Sequence, residues 1–128
     1  LLTIIPPMQI RNTMTNNRIV NEIKGTNEVF INVQTARGLG IAEGDTVKVR
    51  SRVGEIQLPA RLTEAIRPDC VLVPHGFGHQ SRLMTQAYGK GAKDAVLVPG
   101  QSMDDILARK DVGGSACIMD AVVSVSKV

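Results

Sequence analysis

The chain has 128 residues and a mass of 13.8 kDa, a length that fits a single domain. Hydrophobic residues make up 43% and charged residues 21%, which predicts a buried core and excludes a wholly disordered chain. The small number of aromatic residues, two phenylalanines and one tyrosine, disfavours a stacking surface for single-stranded nucleic acid, and the net charge of +3 is too small to indicate nucleic-acid binding by itself. No apolar run approaches the length of a membrane span.

The first third of the chain predicts short strands separated by polar segments. The apolar, β-branched run at residues 1–5 predicts a strand that ends at two prolines. Residues 8–24 are polar and follow no period, which predicts a long loop. Residues 28–31 predict a second strand, and Asn32 is placed to cap a helix over residues 33–39.

A β-hairpin is the clearest local pattern in the sequence. Residues 45–52 and 56–63 each alternate apolar and polar side chains around a short turn. Pro59 then requires an outward, edge or bulged position, because it cannot donate a ladder hydrogen bond. The remaining sequence predicts strands at residues 70–73, 95–98 and 116–128 and a helical turn at residues 103–108. About six strands without a βαβ rhythm predict one mainly β domain over residues 1–128, closed or nearly closed as a small barrel.

The most unusual segment is the loop at residues 75–81, which holds both histidines of the chain, His75 and His79. Loops that follow strands often carry binding groups, and Gly76 and Gly78 would leave main-chain N–H groups open to a ligand. The same residues are also compatible with a glycine-rich turn that carries two solvated histidines. A zinc site is disfavoured, because the two glycines argue against a helix that would place both rings on one face.

A second polar segment, residues 12–18, combines hydroxyl and amide side chains with one arginine. Amides donate and accept together, which suits the edge of a heterocycle, and Arg18 suits a phosphate; a flexible polar loop is the simpler alternative. Residues 89–94 lack the spacing of a nucleotide-hydrolysing phosphate loop but leave open a single cation near a phosphate. Cys70 and Cys117 are predicted to be small buried residues. These patterns predict a β-rich binding domain and do not specify a reaction.

Several short motifs, in their order and spacing, resemble the C-terminal dinucleotide-binding domain of the molybdopterin oxidoreductases, the dimethyl sulfoxide reductase superfamily. Residues 30–41 resemble the family's "INPETARELGI" segment, and residues 44–54 resemble its "GDxVxVxSxxG" hairpin. Residues 74–79 are most like the polysulfide and thiosulfate reductase and acetylene hydratase branch. Two further segments are similar to the family's "xxGIRPG" turn and its terminal "DPxSGG" segment: residues 63–68 and 111–116.

The resemblance implies a mainly β fold, a six-stranded double-psi β-barrel with one or two short helices. It implies a domain that covers the bis(molybdopterin guanine dinucleotide) cofactor, with molybdenum or tungsten, inside a larger catalytic subunit that also holds an Fe–S cluster. Such a domain supplies no catalytic or metal-ligating residue, and it is periplasmic or cytoplasmic according to its parent enzyme. The implied cofactor-binding residues come from two loops: Thr13, Thr15, Asn17, His75, Gly76, Gly78, His79 and Ser81.

The sequence also departs from the family pattern at several positions. The first strand runs into Pro6-Pro7 where the family often has Gly-Arg, and Asn32-Val33 stands where Asn-Pro is usual. The alternative function is a stand-alone double-psi barrel that binds a protein or DNA partner, although the charge pattern favours neither nucleic acid nor a membrane. A self-cleaving enzyme of the same fold is disfavoured, because Gly114-Ser115 lies near the C-terminal end.

Overall fold

The computed structural model describes residues 1–7, 14–98 and 121–128, which form six strands, two short α-helices and one 3₁₀ helix. In chain order the elements are β1 (Leu2–Ile4), α1 (Arg18–Ile23), β2 (Val29–Asn32), α2 (Val33–Gly38), β3 (Thr46–Arg50), β4 (Glu55–Thr63), β5 (Val71–Pro74), the 3₁₀ helix (Asp94–Leu97) and β6 (Ser124–Lys127).

The six strands form a single sheet in the order β1-β5-β2-β4-β3-β6. The β1–β5 and β2–β4 pairs are parallel, and the other pairs are antiparallel. The mainly β class, the six strands and the short helices are therefore confirmed. Among the described residues the sheet is not closed, so the predicted barrel is not confirmed.

The predicted hairpin is confirmed as the β3–β4 pair. Val47 pairs with Leu58 and Val49 pairs with Ile56, and all four side chains are buried. The outward-facing positions between them are exposed or half-buried, which is the alternation expected of strands with one face on a core. Pro59 is half-buried on the outward side of β4, as predicted.

The core lies on the face of the sheet that the alternating apolar residues share. It is built almost entirely from aliphatic side chains, since the chain has so few aromatic residues. Its buried members are Val29, Ile31, Ala36, Ile41, Val47, Val49, Ile56, Leu58, Ala60, Val71, Val73 and Leu97.

Two predictions of secondary structure were wrong. Part of the polar segment predicted as a loop forms helix α1, which Asn17 caps and an Arg18–Glu22 ion pair of 3.1 Å links across one turn. The run predicted as a strand at residues 95–98 lies in the 3₁₀ helix, whose Leu97 is fully buried in the core. A four-residue apolar run does not distinguish these two states by its pattern.

The remaining sequence predictions concern strand β1, helix α2, the two cysteines and a helical turn. Strand β1 and helix α2 form where they were predicted, and the side chain of Asn32 accepts a hydrogen bond from the backbone N–H of Gln34 at the start of α2. Cys70 is half-buried rather than fully buried. The predicted helical turn at residues 103–108 and Cys117 lie outside the described residues. None of the helices in the described ranges has the length and apolar character needed to cross a membrane.

An ion pair joins the start of the hairpin to the last strand, and it predicts an acid-sensitive contribution to stability. Lys127 Nζ lies 2.6 Å from Asp45 Oδ2, and this contact, helped by the Ala42 N–H, holds the pKa of Asp45 below its ordinary value of 3.8. A lowered carboxyl pKa stabilises the fold above the unfolded-state value, and that contribution is lost as pH falls through the folded-state pKa.

We therefore expect Asp45→Asn to be less stable than the parent at about pH 7, and the difference to shrink at about pH 3. Urea unfolding at both pH values measures this. A difference that stays constant across the two pH values would show that the ion pair does not contribute through ionisation of Asp45.

Candidate functional site

The histidine-rich loop begins where strand β5 ends, and it forms one wall of a pocket. The backbone N–H of His75 donates to the carbonyl oxygen of Ile4 at 2.8 Å, so the loop leaves the sheet beside β1. The pocket has a volume of about 440 Å³. The described residues that line it come from this loop and from the start of the 3₁₀ helix: His75, Gly76, Phe77, Gly78, His79, Gln80, Lys93, Asp94 and Val96.

His75 contacts the buried carboxyl group of Asp94. Its Nδ1 lies 2.9 Å from Asp94 Oδ1 and 3.0 Å from Asp94 Oδ2. The Asp94 side chain is only 4% exposed, whereas the His75 side chain is 43% exposed. An ionised carboxylate only accepts hydrogen bonds, so this contact favours the ring form with its proton on Nδ1, and Nε2 is the ring nitrogen that Asp94 does not engage.

His79 is held through Nε2, whereas His75 is held through Nδ1. Its Nε2 lies 3.0 Å from the carbonyl oxygen of Gly76 and 3.0 Å from Thr15 Oγ1. A carbonyl oxygen only accepts, so Nε2 is the protonated nitrogen and Nδ1 faces away from this bond. The contact with Thr15, which is 2% exposed, brings together the two loops that the sequence singled out.

Two amide side chains strengthen the contact between the N-terminal loop and the rest of the site. Asn16 Oδ1 accepts from the backbone N–H of Gln86 at 2.8 Å. Asn21 Nδ2 donates to the carbonyl oxygens of Thr15 and Gln86 at 2.9 Å and 3.1 Å, and its Oδ1 contacts Lys90 Nζ. Residues 14–17 are therefore attached to the segment that follows the histidine loop.

Gly76 and Gly78 both adopt the left-handed backbone region, with φ of +96° and +77°. The N–H of Gly78 donates to the carbonyl oxygen of Lys90 at 3.0 Å, so the prediction that it is open to a ligand was wrong. A Cβ at position 78 would overlap the backbone of Ala92 and Lys93. Glycine is required there because two backbone segments meet, which brings Lys93 and Asp94 against the histidine loop.

The other predicted binding residues have different surroundings. Asn17 is exposed, and its Oδ1 accepts from the N–H groups of Ile19 and Val20 at 2.9 Å and 3.4 Å, which makes it the N-cap of α1. Ser81 is exposed and is not among the described residues that line the pocket. Thr13 lies outside the described residues.

The structure also reveals Asn27, which the sequence reasoning missed. This side chain is fully buried, and its Nδ2 donates to the carbonyl oxygens of Pro74 at 3.0 Å and Ala92 at 2.9 Å. Its Oδ1 accepts from the backbone N–H of Ala92 at 2.9 Å. Asn27 thus joins the end of β5 to the segment that carries Asp94. In the sequence it is an ordinary polar residue before a strand, and no local signal distinguishes it.

The groups around the pocket fit a ligand in which a polar heterocycle is joined to an anionic group such as a phosphate. Two imidazoles each have one nitrogen that the contacts described above leave unengaged, and in a neutral imidazole this second nitrogen accepts, so it can meet an N–H donor of a planar ring. The exposed ammonium group of Lys93 lines the same pocket and suits a phosphate. Within the described ranges, no three His, Cys, Asp or Glu side chains are grouped to hold a metal ion.

The fold and the pocket thus define a mainly β domain with a polar pocket where strand β5 ends. The sequence model of the molydopterin dinucleotide binding domain family matches residues 1–110, and the chain belongs to this family. Its cofactor is therefore a molybdopterin, and its role in the parent enzyme is to bind it.

The chain is similar to parts of several molybdoenzyme subunits. It is 39% identical to the molybdopterin-containing subunit of the arsenate respiratory reductase of Chrysiogenes arsenatis, over 60% of this chain and 9% of that subunit. It is 32% identical to the molybdopterin-containing subunit of the thiosulfate reductase of Salmonella typhimurium, over 63% of this chain and 11% of that subunit. The matched region is about a tenth of the length of these relatives.

A solved structure has the same fold. The acetylene hydratase of Pelobacter acetylenicus matches 99% of this chain with a TM-score of 0.75, at 14% sequence identity. The match covers 18% of the hydratase chain. At this identity the likeness concerns the fold alone.

Proposed function

We propose that this chain is the domain that covers the bis(molybdopterin guanine dinucleotide) cofactor in the catalytic subunit of a molybdenum or tungsten oxidoreductase. It forms one domain over residues 1–128, packs on the other domains of that subunit, which include an Fe–S cluster, and has no chemistry of its own. When bound, the cofactor supplies the metal centre that exchanges electrons with the substrate. The family match favours this role over a stand-alone interaction module.

The observation that carries the proposal is the Thr15–His79 contact of 3.0 Å. It joins two loops, 64 residues apart in sequence, beside a pocket that His75, Lys93 and Asp94 also line. We propose that the pterin edge meets the His75 and His79 ring nitrogens that remain unengaged. Thr13, Thr15, Asn17, Gly76, Gly78 and Ser81 complete the proposed cofactor-binding set.

The proposed double-psi barrel is supported by the strand pairing. The two parallel pairs, β1–β5 and β2–β4, are joined by the antiparallel β2–β5 contact, so strands cross over rather than follow in simple hairpins. The backbone nitrogen of Leu1 donates to the carbonyl oxygen of Ala121 at 2.9 Å, just before β6. The two edges of the sheet thus approach each other at this point, as closure requires.

The first test uses the full catalytic subunit and measures its pterin and metal content. We expect His75→Ala to lower both, because the variant removes one of the two imidazoles that line the pocket. Gln57→Ala, on the exposed outer face of β4, is the control and should keep the parent content. Parent levels of pterin and metal in the His75 variant would contradict the proposed site.

The second test separates two roles of Asn17. Asn17→Ala removes the cap of α1 and should cost about 1 kcal/mol of stability, whereas Asn17→Ser keeps a capping hydroxyl. If the amide meets the cofactor, both variants lower cofactor content. A loss in the alanine variant alone would assign Asn17 to helix capping and remove it from the binding set.

A further inference from the structure

We propose that Asp94 is a positioning residue, which holds His75 with its Nδ1 protonated and its Nε2 directed to the cofactor. This inference rests on the proposed function for the identity of the ligand. It adds a residue that the two candidate loops do not contain, because Asp94 begins the 3₁₀ helix.

The geometry of the pair supports this role. Both carboxylate oxygens of Asp94 lie within 3.0 Å of the same ring nitrogen of His75. The Asp94 carboxylate is 4% exposed and therefore meets little water. Its hydrogen bonds must come from the protein, and His75 Nδ1 supplies one such contact. The imidazole, at 43% exposure, reaches from the buried carboxylate toward the open side of the pocket.

The surrounding backbone keeps the two residues in place. Asn27 joins the carbonyl oxygen of Pro74, next to His75, to both polar groups of Ala92, two residues before Asp94. Gly78 allows the backbone at Ala92 and Lys93 to approach the histidine loop without steric overlap. The pair is therefore held from both sides by contacts that do not involve the imidazole itself.

The consequence for ligand recognition is that a single tautomer of His75 presents the same ring nitrogen, Nε2, to the ligand. A free histidine interconverts between two neutral tautomers, and each presents a different pattern of donor and acceptor to a ligand. A carboxylate on Nδ1 selects the form in which that nitrogen carries the proton, as in catalytic triads. Nε2 is then offered to the cofactor in one orientation, and less ordering is needed when the cofactor binds.

The direct test is nitrogen NMR of the full catalytic subunit labelled with ¹⁵N-histidine. The His75 signals are those that disappear in His75→Gln. We expect the parent to show a protonated Nδ1, and Asp94→Asn and Asp94→Ala to lose this as the dominant form. Asp69→Asn, a carboxylate on an exposed turn, is the matched control and should leave the signals unchanged. An unprotonated Nδ1 in the parent, or parent-like signals in both Asp94 variants, would overturn the proposal.

A double-mutant cycle tests whether Asp94 acts through His75. Carboxylates that orient functional histidines at metal sites contribute roughly 10- to 100-fold, so we expect Asp94→Asn to lower pterin retention by about tenfold. The double variant with His75→Gln should retain no less pterin than His75→Gln alone. Additive losses would overturn the proposal, because Asp94 would then act independently of His75.

The two experiments distinguish this proposal from the proposed function. The NMR comparison reports how Asp94 changes the state of the His75 imidazole, whereas the retention assay reports whether His75 holds the pterin. If His75→Gln retains all its pterin while the Asp94 variants change the His75 signals, the positioning role stands and the cofactor site is wrong. If His75→Gln loses pterin while the Asp94 variants keep the parent His75 signals, the cofactor site stands and the positioning role of Asp94 is rejected.

Discussion

Replacing Val47 with aspartate should lower the free energy of unfolding by about 4 kcal/mol, because the variant buries a carboxylate that has no partner. Val47 is fully buried and pairs with Leu58 in the β3–β4 ladder. Chemical denaturation of the parent and the variant measures the loss, and a variant that fails to fold at all agrees with the same reasoning.

Gln57→Asp is the matched control for this substitution. Gln57 lies one position from Leu58 but on the exposed face, opposite Lys48, so the new carboxylate stays in water near a cation. We expect its stability to stay within about 0.5 kcal/mol of the parent. Equal losses in the two variants would mean that the facing of the hairpin is incorrect.

Replacing Asn27 with leucine should have the second largest effect. Leucine has a similar volume, so the change mainly removes hydrogen bonds and leaves the carbonyl oxygens of Pro74 and Ala92 and the N–H of Ala92 without this partner. Since an unsatisfied buried polar group costs about 1–3 kcal/mol, we expect a total loss of about 3 kcal/mol.

The Asn27 variant should also weaken the cofactor site. Without the amide, the segment that carries Asp94 is no longer tied to the end of β5, so the His75–Asp94 pair loses its support. We expect lower pterin content in the full subunit together with the lower stability. Gln34→Leu, on the exposed face of α2, is the control and should change neither. Parent-like stability of the Asn27 variant would show that water replaces the amide.

The regular elements with one buried face could be predicted from the sequence. The β3–β4 hairpin and helix α2 follow local rules, since alternation predicts which strand face is buried and Asn32 marks a helix start. Helix α1 was missed because it is only six residues long and most of its side chains are exposed, so no hydrophobic period marks it. The sequence feature that indicates α1 is the capping residue Asn17, which lies within a segment whose composition is typical of a polar loop.

The sequence singled out His75 and His79, because two histidines in a glycine-rich loop after a strand are unusual, and both line the pocket of the structure. Their role in cofactor binding stays a prediction. The surroundings of Asn17 and Gly78 were not foreseen, since an amide that caps a helix and a glycine that admits a second backbone look the same in sequence as groups open to a ligand.

The sequence by itself determined the mainly β class, the facing of the central hairpin and the family resemblance that the family match confirmed. These depend on residue type and on spacing over a few positions, which a pattern can record. Only the tertiary structure decided that Asp94 holds His75, that Thr15 meets His79 and that Asn27 joins two distant segments. Each of these contacts spans at least 19 residues, and the partner of a buried polar group is set by how the strands cross rather than by its neighbours in the chain.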